Sequence, residues 1–173
     1  MRWWIAVVIF GVGSALVGAQ GPPDKGHEIG QYKLFQQNKL LIQELVDHTV
    51  DISLQLDPLQ RVETSNNIVG RLTQEIRNAA DRQDAHRVVE LGQHLRTVLK
   101  DGIIPNIVTA RKQIKPGSDG ERRLFKDCDL TLSIIAPLDG IAPDDASLAK
   151  YREVRDLLRE IQGTREMVGN AIK

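Results

Sequence analysis

After the N-terminal region, apolar side chains recur at intervals of three and four residues, and this spacing strongly limits the choice of fold. An α-helix places residues three and four apart on one side, whereas a strand needs alternation of apolar and polar residues. No six-residue stretch of the later sequence alternates in that way with β-branched enrichment. We therefore predict an all-α domain over residues 28–173, an antiparallel up-and-down bundle of four to five helices with short connections.

Polar residues and prolines mark the predicted helix ends. Asp57 precedes Pro58, which is tolerated at a first helical position because the missing N–H has no partner there. Ser118 and Glu121 have the spacing of a capping box. The predicted N-caps of the second, third, fourth and last helices are Asp57, Asp84, Ser118 and Asp144.

Pro105 interrupts the apolar periodicity of the third helical segment. Proline removes one backbone donor and clashes with the preceding turn. We expect a bend or a break near Gly102, within one turn before the proline.

The first helix, predicted from about His27 to Leu56, carries adjacent lines of residues at spacing seven. The other faces of the helices are charged, so each helix should bury about one side. The members of the predicted stripe are Phe35, Ile42, Thr49 and Leu56 in one line, Leu34, Leu41 and His48 in the next, with Leu45 and Ile52 between them.

Residues 1–19 are typical of a cleavable secretory signal. Arg2 precedes a long apolar run, and Val17-Gly18-Ala19 supplies the small residues that a signal peptidase requires. The alternative is an uncleaved membrane anchor, which needs about 20 apolar residues, and several glycines interrupt this run. We predict a signal peptide over residues 1–19 and a linker over 20–27. The mature protein should be periplasmic or otherwise extracytoplasmic, with no membrane insertion after cleavage.

The charge balance and the cysteine content argue against several classes of protein. The chain has 23 basic and 23 acidic residues, which argues against nucleic acid or anionic lipid as a partner. Cys128 is the only cysteine, so no internal disulfide can form. Its position between Leu124 and Leu132 on one helical face favours a small buried core residue. An intermolecular disulfide or a reactive thiol is the alternative.

One cluster in the third helix suggests metal chemistry. His86, Glu90 and His94 follow one another at spacing four and share a face, as metal-chelating pairs do. The two histidines nevertheless lie about 12 Å apart along the axis, too far for one ion. A site would need ligands from elsewhere, and the candidates are His48 with Asp47 or Asp51, or Asp127 and Asp129. We interpret the cluster as a solvated polar face and predict no metal site and no cofactor.

Leu72-Thr73 begins a partial L-T-x-x-Q motif, in which Ile76 stands where glutamine belongs. This motif and the plan of a signal followed by charged helices resemble the bacterial periplasmic stress chaperones of the Spy and CpxP type and related metal sensors. The motif is incomplete, so we assign no family and carry over no functional residue.

No motif typical of an enzyme occurs: there is no nucleophile elbow, phosphate loop or dinucleotide fingerprint. We predict a non-enzymatic exported helical protein that acts through protein–protein contacts in the cell envelope, by self-association or by presenting a helix face to a partner. Two alternatives stay open. One is a periplasmic metal-binding or metal-sensing bundle, and the other is a chaperone-like binder of unfolded clients.

Overall fold

The computed structural model describes residues 25–141 and 147–172, and every regular element in these ranges is helical, without a strand. The all-α prediction is confirmed. A π-helix, Val98–Ile103, joins the third and fourth α-helices, and two 3-10 turns, Ala136–Gly140 and Ser147–Lys150, precede the last one. The α-helices are α1 (Lys25–Leu54), α2 (Pro58–Asp81), α3 (Ala85–Thr97), α4 (Ile104–Gln113), α5 (Asp119–Ile135) and α6 (Arg152–Ala171).

The chain forms two compact units, Met1–Leu40 and Leu41–Lys173. In the first unit the structure describes residues 25–40, which form the N-terminal part of α1. The second unit contains the rest of α1 and all other helices. The predicted signal peptide lies outside the described residues, as does the predicted linker apart from its last three residues, which are helical.

The core of the second unit is built around α2. This helix packs against α3, α4, α5 and the π-helix, while α6 packs mainly against α3. Buried apolar side chains recur at intervals of three and four residues along α2, α3 and α5. The largest fully buried side chains include Leu72, Ile76, Leu95, Leu99, Ile103, Ile107 and Leu124.

Asp57 and Asp84 cap their helices as predicted. An Asp57 carboxylate oxygen accepts a hydrogen bond from the backbone N–H of Leu59 at 2.9 Å, and α2 begins at Pro58. Asp84 accepts from the backbone N–H of Arg87 at 3.0 Å. Each bond satisfies one of the donors that a helix N-terminus leaves without a partner.

Ser118 also caps its helix, but the capping box takes a modified form. Its hydroxyl accepts from the N–H of Glu121 at 3.3 Å, while the Glu121 carboxylate accepts from the N–H of Gly117 at 2.6 Å. Gly117 has a φ of +77°, a conformation that glycine adopts without strain. The hydrogen bond from Gly117 and the one from Arg111 lower the pKa of the Glu121 carboxyl.

The start of the last helix was predicted wrongly. α6 begins at Arg152 rather than next to Asp144, which lies outside the described residues. A 3-10 turn precedes it and buries Leu148 and Ala149. Tyr151 occupies the N-cap position, and its side chain is exposed.

Pro105 changes the helix without breaking it. The six residues before Ile104 form a π-helix, in which the N–H of Ile104 bonds to the carbonyl of Leu99, five residues back. The side-chain amide of Asn106 donates to the Gly102 carbonyl at 2.8 Å. The irregularity in the backbone lies within the turn before Pro105, as predicted. It takes the form of a widened π-helical turn and not of a break, so the chain stays helical from Ala85 to Gln113.

Candidate interaction surface on the first helix

Helix α1 carries apolar side chains on opposite sides. Leu41 is buried, and Leu45 and Ile52 pack against the core. Other apolar side chains point away from that side, and each is more than half exposed. We call these residues the outer face of α1: Leu40, Ile42, Val46, Val50 and Leu54.

The predicted packing stripe of α1 is therefore half wrong. Leu41, Leu45 and Ile52 face the core, but Ile42 is exposed and Leu56, beyond the end of the helix, is 91% exposed. Residues repeated every seven positions drift by about 20° per heptad around a straight helix. The sequence alone therefore does not show which of two adjacent lines of apolar residues faces the core. The side chains of Leu34 and Phe35 lie outside those that the structure describes.

Acidic residues of α1 lie beside the outer face. Asp47 and Asp51 are exposed, and neither forms an ion pair within the described residues. Glu44, in contrast, binds the Arg71 guanidinium of α2 at 2.7 Å, and Arg71 also contacts Glu75. The outer face is therefore bordered by two acids that form no ion pair with any described residue.

An open groove of about 570 Å³ lies between α1, α2 and α5. Its lining combines charged, amide and aliphatic side chains. The lining residues are Glu44 and His48 of α1, Asn66, Asn67, Gly70, Arg71 and Gln74 of α2, and Leu130 and Ile134 of α5. His48, one of the predicted complementary ligands, thus faces α2 and α5.

The third-helix cluster is not brought together with the other candidate ligands. His86 is exposed and His94 is half-buried, while Glu90 pairs with Arg87 of its own helix at 2.7 Å. Asp127 is buried in α5 and Asp129 is exposed. Over residues 25–141 and 147–172, no three His, Cys, Asp or Glu side chains are placed to hold one metal ion.

Cys128 is fully buried, as the core interpretation predicted. Burial raises the pKa of its thiol to about 12, with further contributions from the charges of Asp127 and Asp129. A thiolate is the reactive form of cysteine, so a buried thiol with this pKa is inert at neutral pH.

A buried polar network joins the middle of α2 to α5. The Asn66 amide donates to the Asp127 backbone carbonyl at 3.1 Å, and the Thr131 hydroxyl lies 2.6 Å from the Asn66 side-chain oxygen. Asn66 belongs to a stretch of weak helix formers, 64–67, so packing against α5 holds this stretch in the helix.

Substitution of Asp127 by asparagine should stabilise the protein at neutral pH. Burial, followed by the charge of Glu63, raises the pKa of the Asp127 carboxyl. The folded state then binds more protons than the unfolded state above the usual pKa of 3.8, so wild-type stability falls as pH rises through the raised pKa. Urea unfolding should show the variant more stable by up to about 1 kcal/mol at pH 7, since solvent still screens part of the charge.

The gain from Asp127→Asn should shrink toward zero as pH falls below 3.8, because wild-type Asp127 is then increasingly protonated in the unfolded state as well as in the folded state. Asp129→Asn, at an exposed position of the same helix, is the matched control and should leave stability nearly unchanged. A gain that stays constant from pH 3 to pH 8 would contradict an electrostatic origin.

Comparison with known proteins finds no matching family model, no similar curated protein and no similar solved structure. Among the described helices, none combines the length and the apolar character needed to cross a membrane.

Proposed function

We propose that this is an exported, non-enzymatic helical protein that acts through protein–protein contacts in the cell envelope, with the outer face of α1 as its contact surface. The observation that carries the proposal is the row of exposed apolar side chains on that helix, from Leu40 to Leu54. Single exposed apolar residues are common on monomers, but a contiguous apolar patch bordered by polar residues is typical of an interaction site. Partner helices commonly recognise such a surface.

The rest of the described surface offers less to a partner. The exposed apolar residues of other helices, among them Val108, Leu130 and Met167, are dispersed along α4, α5 and α6. The metal-sensing alternative would need converging ligands, and His86 and Glu90 offer only a pair. The chaperone alternative would bind clients on the same apolar surface, so the identity of the bound protein distinguishes it from a specific partner.

Export and topology belong to the same proposal. The Val17-Gly18-Ala19 site and the apolar run before it favour secretion with cleavage before Gln20. The short connections between α2 and α3 and between α4 and α5 support an antiparallel up-and-down bundle, since short links favour antiparallel neighbours. In this arrangement α1 presents one side to the core and the other to the envelope.

Photo-crosslinking in the native host tests the proposed contact surface. With p-benzoylphenylalanine in place of Val50, illumination should produce one discrete covalent adduct, identified by mass spectrometry. Met167 of α6, 49% exposed against 52% for Val50, is a matched control position and should give no adduct. Val46→Asp should abolish the adduct at position 50 because it places a charge in the contact. The same spectra report whether the mature chain begins at Gln20.

Two outcomes would contradict the proposal in different ways. No adduct at position 50, or equal adducts at positions 50 and 167, would mean that α1 is not the contact surface. A smear of many different proteins at position 50 would favour the chaperone-like alternative over a specific partner.

A further inference from the structure

The residues of α1 around Gln43 have a symmetry that suggests what covers the outer face. Lys39, Leu40, Gln43, Val46 and Asp47 recur at intervals of three and four, so they share one side of the helix, and all five are exposed. Counting outward from Gln43, an apolar residue lies three positions away in each direction. One position further, a lysine lies on one side and an aspartate on the other.

In an antiparallel pair of identical helices related by a twofold axis at Gln43, each residue faces its mirror position. Leu40 of one copy then faces Val46 of the other, and Lys39 faces Asp47. Each contact occurs twice, as in any twofold interface. The same side chains would fail in a parallel pair, where Lys39 faces Lys39 and Asp47 faces Asp47.

Charge is distributed along the whole of α1 as it is around Gln43, with basic residues toward the N-terminus and acidic residues toward the C-terminus. Residues 25–40 include three lysines and one glutamate, whereas residues 41–54 include three acids and no lysine or arginine. Acids near a helix C-terminus are unfavourable because the carbonyl ends carry partial negative charge, and Asp51 lies in the last turn. An antiparallel copy brings its basic half over this acidic half. Glu44 does not oppose the pairing, because it is bound to Arg71 of its own chain.

We propose that two copies of this chain associate through antiparallel pairing of their α1 helices about a twofold axis near Gln43. The inference rests on the proposed function, since it names a second copy as the partner of the outer face. Leu40 and Val46 supply the apolar contact. Lys39 and Asp47 fix the direction and the register, as flanking charges do in paired helices.

Cysteine crosslinking tests direction and register together. The purified Gln43→Cys variant should form a disulfide-linked dimer under mild oxidation, because the two positions meet at the axis within disulfide distance. Ser53→Cys, at an exposed polar position of the same helix, should not crosslink, since the two copies would lie about 30 Å apart along the helix axes. The native Cys128 does not interfere, because it is fully buried. Crosslinking at both positions would overturn the antiparallel arrangement.

A charge exchange tests the ion pair. In sedimentation equilibrium, Lys39→Asp and Asp47→Lys should each raise the dimer dissociation constant about tenfold, because each creates two like-charged contacts. The double variant, which exchanges the two charges, should restore dimerisation to near the wild-type value. Failure of the double variant to restore it would exclude this register.

The oligomeric state separates failure of this inference from failure of the proposed function. A wild-type monomer whose position 50 still crosslinks to a different protein, with loss of that adduct in Val46→Asp, would overturn self-pairing and leave the contact surface intact. A wild-type monomer without any adduct would overturn both. A dimer that Val46→Asp dissociates supports both.

Discussion

Replacement of Leu99 by alanine should lower the free energy of unfolding by about 2–5 kcal/mol, the range found when a fully buried leucine is truncated. Leu99 lies in the π-helix, is completely buried, and has its carbonyl bonded to the N–H of Ile104. The π-helix packs against α2 and α6, so a cavity at this position weakens both of these contacts. Equilibrium urea unfolding followed by circular dichroism measures the change.

The neighbouring residue supplies the control for Leu99→Ala. Lys100 is exposed in the same π-helix, so Lys100→Ala should change stability by less than about 0.5 kcal/mol. Equal effects of the two substitutions would mean that they act through the π-helical backbone. A loss below about 1 kcal/mol for Leu99→Ala would contradict its place at the centre of the core.

The local signals in the sequence predicted most of the helix boundaries because each depends on a few adjacent residues. Asp57, Asp84 and Ser118 cap helices through their own side chains, and this chemistry does not depend on the rest of the fold. The start of α6 could not be predicted in the same way. The 3-10 turn before it is stabilised by burial of Leu148 and Ala149, and burial depends on the packing of distant helices.

The π-helix shows what a single proline in the sequence can predict about the backbone and what it cannot. Pro105 predicted a disturbance within the preceding turn, and the disturbance is there. The rule could not choose between a break and a widened turn, because that choice depends on the packing of Leu99 and Ile103 in the core. Because buried apolar residues lie both before and after this turn, a continuous helix is favoured over a break.

The outer face of α1 was missed because hydrophobic periodicity reports which residues are apolar, not which of them find a partner. Ile42 and Leu41 are adjacent and similar in character, yet Leu41 is 4% exposed and Ile42 is 56% exposed. A usable signal was present in Val46, Val50 and Leu54, which lie outside the predicted stripe. A helix with apolar residues around more than half of its circumference needs a second contact.

Substitution of Gly92 by alanine should destabilise the protein by about 1–3 kcal/mol, the usual cost of overpacking. Gly92 is buried in α3 at the contact with α6, where an added Cβ would overlap the Leu157 Cδ2 atom and lie 3.1 Å from its Cγ. Alanine is the better helix former by about 1 kcal/mol, so the clash must outweigh that gain. Thermal and urea unfolding of the purified variant measure the net change.

The same substitution at Gly163 should have the opposite sign. Gly163 lies within α6, and no heavy atom lies within 4 Å of an added Cβ, so Gly163→Ala should stabilise the protein by up to about 1 kcal/mol. A double-mutant cycle locates the clash, because Gly92→Ala combined with Leu157→Ala should cost less than the sum of the single changes. If Gly92→Ala proves neutral and additive with Leu157→Ala, α3 and α6 do not approach as closely at this point as the structure shows, and the glycine has no packing role.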